Sequence, residues 1–134
     1  MAPMLFASAI SEGRPIKVFN HGKMKRDFTY IDDIVAGVIA ALDHPPAGAG
    51  TEPPARLYNL GNSHAENLLD FIGTLEKALG KKAQMDFQPL QPGDVPETFA
   101  DISASTRDLG FKPKTLISEG VPKFVEWYRQ YHKA

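Results

Sequence analysis

Two short segments carry the side chains best suited to chemistry. The first is Val18-Phe19-Asn20-His21-Gly22-Lys23-Met24-Lys25-Arg26-Asp27-Phe28. Three cations follow a glycine turn, and a phenylalanine stands near each end. An arginine forks onto phosphate oxygens, and a phenyl ring stacks on a planar base. The segment therefore suits an anionic ligand with a planar group. The plainer alternative is a solvated basic turn with its phenylalanines in the core. The second segment is Gln91-Pro92-Gly93-Asp94-Val95-Pro96. A glycine beside a carboxylate, bracketed by prolines, makes a stiff loop that would aim Asp94 at sugar hydroxyls. The plainer alternative is a turn in which Asp94 is only the turn residue.

Other chemistries find no support. The chain has no cysteine, which excludes disulfides, thiol catalysis and thiolate metal sites. His21, His44, His64 and His132 are widely separated and form no zinc-type motif. No dinucleotide or P-loop glycine fingerprint occurs. The nearest candidate, Leu60-Gly61-Asn62-Ser63, has one glycine and reads as a tight turn. No nucleophile-elbow serine is present. No tyrosine has a lysine four positions later: Tyr30 meets Ile34, Tyr58 meets Asn62 and Tyr128 meets His132. Fifteen Lys+Arg against sixteen Asp+Glu leave a net charge of −1, so nothing electrostatic favours nucleic acid or an anionic membrane. No apolar run approaches the roughly 20 residues of a membrane span. Met1 to Phe6 has no basic leader ahead of it, so a signal peptide is not expected and a cytoplasmic setting is.

The elements that must position these segments follow from periodicity. At 134 residues the chain is one domain or part of one. A short helix is expected over 3–12 and strands over 16–19 and 27–31. Ile31, Ile34, Val35, Val38, Ile39 and Leu42 form one helical stripe, with Asp32 and Asp33 in its first turn. The proline- and glycine-rich stretch 45–54 is a surface loop. Leu57 to Leu60 reads as a buried strand. Ser63-His64-Ala65-Glu66 fits a capping box before a helix over 67–79, which Gly80 stops. Strands are expected over 84–88 and, more weakly, 98–102. Ser103 would cap a helix ending at Gly110. A last helix near 118–131 would hold Pro122 in its first turn. The fold class is mixed α/β, with short strands and helices interleaved.

In order along the chain, several segments resemble the extended short-chain dehydrogenases, the NAD-dependent nucleotide-sugar epimerases and dehydratases. They are Pro15 to Phe19, Arg26 to Ile34, Tyr58 to Asn62, Gln91 to Pro96, Ala100-Asp101 and Leu109-Gly110-Phe111. The resemblance is nearest to the UDP-glucuronate 4-epimerase branch. It covers the carboxyl-terminal, substrate-binding portion of that family and nearly all of 1–134. The resemblance implies a UDP-sugar partner, and NAD bound by an amino-terminal Rossmann part missing here. The family's catalytic tyrosine and lysine would lie there too, leaving no catalytic residue in this chain. The implied reaction inverts C4 of the sugar through transient oxidation. The alternatives are a dehydratase, decarboxylase or reductase of the same superfamily, or a stand-alone, non-catalytic binding module.

Residue by residue, the resemblance implies that Phe19 and the Val18 backbone meet uracil. Arg26 would hold the diphosphate, and Asp94 the ribose hydroxyls. Gln91 stands where galactose-type epimerases carry a phosphate-binding arginine, and Thr98 where they carry a tyrosine. His64 would lie near the uridine. The resemblance also implies that the 57–60 strand and the helices over 31–42 and 67–79 lose their cover in this chain. A homo-oligomer is the expected consequence.

Overall fold

The computed structural model describes residues 2–48 and 54–133. In chain order the elements are α1 (Ala2–Glu12), β1 (Ile16–Val18), a 3₁₀ turn (Phe19–Gly22), β2 (Lys25–Asp27), α2 (Ile31–Asp43), β3 (Ala65–Asn67), α3 (Leu68–Leu79), β4 (Met85–Phe87), α4 (Ser103–Leu109) and α5 (Ile117–His132). Part of the loop expected over 45–54 lies outside the described residues.

The centre of the molecule is α3. Leu68, Phe71, Ile72, Leu75 and Leu79 recur at helical spacing, and all are buried. Ile10 of α1 packs into the same core. So do Val121, Val125 and Tyr128 of α5. β1 runs parallel to β4, with Ile16 beside Met85 and Val18 beside Phe87. The expected loss of cover over 67–79 does not occur, because α1 and α5 close over that helix. Gly80 and Gly110 take the left-handed conformation (φ 68° and 66°) at the ends of α3 and α4, as a helix C-terminus favours.

A second two-stranded sheet is formed by β2 and β3. β2 pairs antiparallel with β3, placing Arg26 opposite Glu66. On the other edge of β2, the Lys25 amide donates to the Pro96 carbonyl (2.8 Å), and the Thr98 amide donates to the Lys25 carbonyl (3.2 Å). β2 is thus held from both sides, by segments much later in the chain.

Several sequence-based expectations are corrected. The strand expected over 27–31 lies at 25–27, where both pairing edges are. Residues 57–60 form no strand; the Asn59 carbonyl instead accepts the buried Ser105 hydroxyl (2.8 Å). The capping box does not form. Residues 65–67 pair with β2, and Ser63 takes a left-handed conformation (φ 53°). Residues 98–102 form no strand. Ser103 is the first residue of α4, and its amide donates to Asp101 (2.9 Å). The Ser103 hydroxyl first, then its amide, hold the Asp101 carboxyl below its ordinary value. Pro122 sits in the second turn of α5, not the first.

α2 is turned the opposite way from a simple core helix. Asp33 and Gly37 face inward. A side chain at Gly37 would run into Leu60 and Phe111. Ile31, Val35, Val38, Ile39 and Leu42 all face solvent.

Candidate functional site

Arg26 sits on β2, between β3 and the segment after Asp94. Strand side chains alternate, so Arg26 and Glu66 share one face, while Lys25 and Asn67 share the other. The basic run is therefore split. Lys25 lies 3.9 Å from Glu97 on its own face, and Arg26 turns to Asp94.

The Arg26 side chain is three-quarters buried, and its Nη2 donates to Asp94 Oδ1 at 3.0 Å. Its Nη1 donates to the carbonyls of Lys25 (2.8 Å) and Pro96 (3.3 Å). These contacts use part of a five-donor fork; Nε–H and one Nη2 hydrogen make no bond among the described residues. Asp94 is delivered by a tight turn. Pro92 fixes the second position, Gly93 takes φ 83° at the third, and the Asp94 amide donates to the Gln91 carbonyl (3.0 Å). Proline then glycine at those positions is the chemistry of a type II turn. Gln91, Asp94 and Arg26 are thereby brought to one edge.

The other expected residues stand as follows. His64 is exposed, with Nε2 3.6 Å from Glu66 Oε1, and Glu66 is the cross-strand neighbour of Arg26. Val18 is fully buried, and its carbonyl accepts the Gln88 amide (2.9 Å). Phe19 begins the 3₁₀ turn and is half-buried. Asn20 and His21 follow in left-handed conformations, and Asn20 Nδ2 donates to the Lys23 carbonyl (2.7 Å). Phe28 joins the core instead, stacked on Phe71 with centroids 4.3 Å apart. For that ring the plainer reading holds.

Sequence reasoning missed Asp27. Its Oδ1 accepts the Asn62 amide (2.8 Å), and its Oδ2 accepts the amides of Ser63 and Ala100 (both 3.0 Å). Its own amide donates to Thr98 Oγ1 (3.1 Å). Gly61 is needed here because a methyl group would strike Ala100 and crowd Asp27 Oδ2. The glycine serves close approach and shows no positive φ. Nothing in the sequence marks such a hub, since its partners are mostly backbone amides.

The Gly61 turn does not fit a dinucleotide pyrophosphate. The amides of Asn62 and Ser63 are already donated to Asp27, and β3, not a helix, follows. Among the described residues, no group of three or more His, Asp or Glu could hold a metal ion. No described helix is long and apolar enough to cross a membrane.

Known proteins resemble this chain in sequence and in backbone. Residues 2–61 match the model of the NAD dependent epimerase/dehydratase family. The chain is 43% identical to Protein CapI of Staphylococcus aureus, over 99% of the chain and 43% of that protein. It is 39% identical to a probable UDP-glucuronate 4-epimerase of Rhizobium meliloti (strain 1021), over 99% and 42%. Its backbone superposes on the UDP-glucuronic acid 4-epimerase of Bacillus cereus, crystallised with UDP-glucuronic acid and NAD. The TM-score is 0.83 and the identity 32%, over 98% of this chain and 40% of that one. The chain thus spans less than half the length of each of these relatives. By sequence and by backbone, it resembles part of the NAD dependent epimerase/dehydratase family.

Proposed function

We propose that this chain forms the UDP-holding part of a nucleotide-sugar 4-epimerase that works on UDP-glucuronate. NAD and the proton-transferring groups belong to another part of that enzyme. The observation that carries this reading is Arg26 set beside Asp94 at 3.0 Å, with guanidinium donors to spare. A guanidinium can grip a diphosphate, and a carboxylate oxygen beside it can accept ribose hydroxyls. The names of the relatives support UDP-glucuronate as the sugar nucleotide. Residues of this kind act by binding energy remote from the reacting carbon: they hold the nucleotide so that the sugar is presented correctly.

Calorimetric titration of the chain with UDP tests the reading. A charge-assisted contact is worth about 1.5–3 kcal/mol, or roughly 10- to 100-fold in affinity. Arg26→Ala is expected to weaken UDP by that factor. An unchanged dissociation constant removes Arg26 from the site, and a wild-type chain that ignores UDP overturns the reading for this chain. The reaction is tested by product analysis in a protein of the relatives' length that contains these residues. Inversion at C4 with the carboxylate retained is expected. Loss of carbon dioxide or water would reassign it to a decarboxylase or dehydratase.

A further inference from the structure

We infer that Asp27 is the positioning residue of the nucleotide site, acting through Arg26 and Asp94 and not by touching the ligand. The inference rests on the UDP-holding reading for its ligand but on the geometry of this chain for its mechanism.

Backbone pairing between β2 and the segment after Asp94 is short. It consists of the Lys25 amide on Pro96 and the Thr98 amide on Lys25. Beyond that point no further backbone bond joins the two among the described residues. Asp27 takes over where the ladder stops. Its amide binds the Thr98 hydroxyl and its carboxylate binds the Ala100 amide. The same carboxylate ties the Asn62–Ser63 turn to β2. Four contacts from one residue thus fix residues 98–100 on one side and 62–63 on the other.

Asp27 and Arg26 point to opposite faces of β2, so Asp27 does not share the ligand face. What it controls is register. Pro96 accepts from both Lys25 and Arg26, and Asp94 is two residues earlier on the same stiff loop. If residues 98–100 slide or lift away, Pro96 and Asp94 move with them, and the guanidinium loses the partner that orients it. A carboxylate suits this task because its two oxygens offer about four acceptor sites, and three are used by amides. An asparagine would turn its NH₂ toward one of those donors.

The test uses the full chain and two readouts. The first needs no ligand: hindered rotation of the Arg26 guanidinium, seen in its side-chain nitrogen NMR signals. Rotation is expected to be hindered in the wild type, freed in Asp94→Ala and equally freed in Asp27→Asn. The second is the UDP dissociation constant. Asp27→Asn is expected to weaken UDP at least ten-fold in the wild-type background, and less than two-fold when Asp94→Ala is already present. A residue that merely stabilised the fold would lower the melting temperature but leave both readouts unchanged well below it. Should Asp27→Asn not fold, Thr98→Val removes a single acceptor and is expected to move both readouts the same way, less far. If the guanidinium stays hindered in the folded variant, or the UDP loss is the same with and without Asp94, the inference falls. If the rotation is freed but the wild type binds no UDP, the positioning role stands and the UDP reading alone falls.

Discussion

Glu76 shows how a single carboxylate can be built into this core. It is buried on α3, and it accepts the Lys82 ammonium (2.6 Å) and the Ala83 amide (2.9 Å). The Lys82 contact first, then the Ala83 amide, hold its carboxyl below the ordinary value of 4.5, against the opposing effect of burial. A carboxyl depressed on folding stabilises the protein above its unfolded pKa. That stability is lost as pH falls through the lower, folded value. Lys82 is largely in water and adds little. Glu76→Gln keeps an oxygen for the Ala83 amide but loses the charge and turns its NH₂ toward Lys82, and is therefore expected to cost about 1 kcal/mol at pH 7. The gap between variant and wild type should close as the pH falls below the ordinary carboxylate range. Urea melts at several pH values read this out, and a gap independent of pH would refute the assignment. At this scale the sequence was half-legible. Arg26 and Asp94 carry their chemistry in their types, so each was visible. Their pairing was not, because 68 residues separate them.

Among the elements, helices were easier to read than strands. α3 repeats its apolar residues every three or four positions and ends at a glycine, so its own sequence defines it. β3 does not. Residues 63–66 carry the residue types of a capping box, yet 65 and 66 pair with a strand far earlier in the chain. Local preference is worth tenths of a kcal/mol to about one, and the ladder with β2 together with the Asp27 contacts exceeds it. α2 was placed correctly, and its apolar stripe is exposed as the resemblance implied; the inward role of Asp33 was not foreseen. Asp33, read as a residue that suits the helix dipole, is buried and accepts the amides of Thr115 (2.9 Å) and Lys114 (3.3 Å). It staples α2 to the segment leading into α5. Asp33→Ala would strand two amides and is expected to cost about 2–4 kcal/mol by denaturant midpoint. At concentrations low enough to keep the chain monomeric, a polar substitution at Val38, on the opposite side of the same helix, should change stability by less than about 0.5 kcal/mol. Equal effects at the two positions would contradict this orientation.

Over the whole molecule, the large side chains of α2 form an apolar stripe with no cover among the described residues. Leu57 is also 90% exposed. A contiguous patch of this kind marks an interface or an association hazard. Light scattering at micromolar concentration is expected to give a mass above that of one chain. Val38→Glu combined with Leu42→Glu should return it toward the monomer. A monomeric wild type would remove the oligomer proposal. This feature was legible in advance as a helical stripe, but which neighbours cover it is a long-range matter that no local pattern encodes.

The parallel pairing of β1 with β4 brings position 16 beside position 85. Closing a loop of that length costs roughly 4 kcal/mol of chain entropy beyond the fixed term of ring closure. Contacts so distant in sequence slow folding. They also set a schedule for synthesis: while the chain is still being made, Ile16 and Val18 have no strand to join until Met85 and Phe87 have left the ribosome.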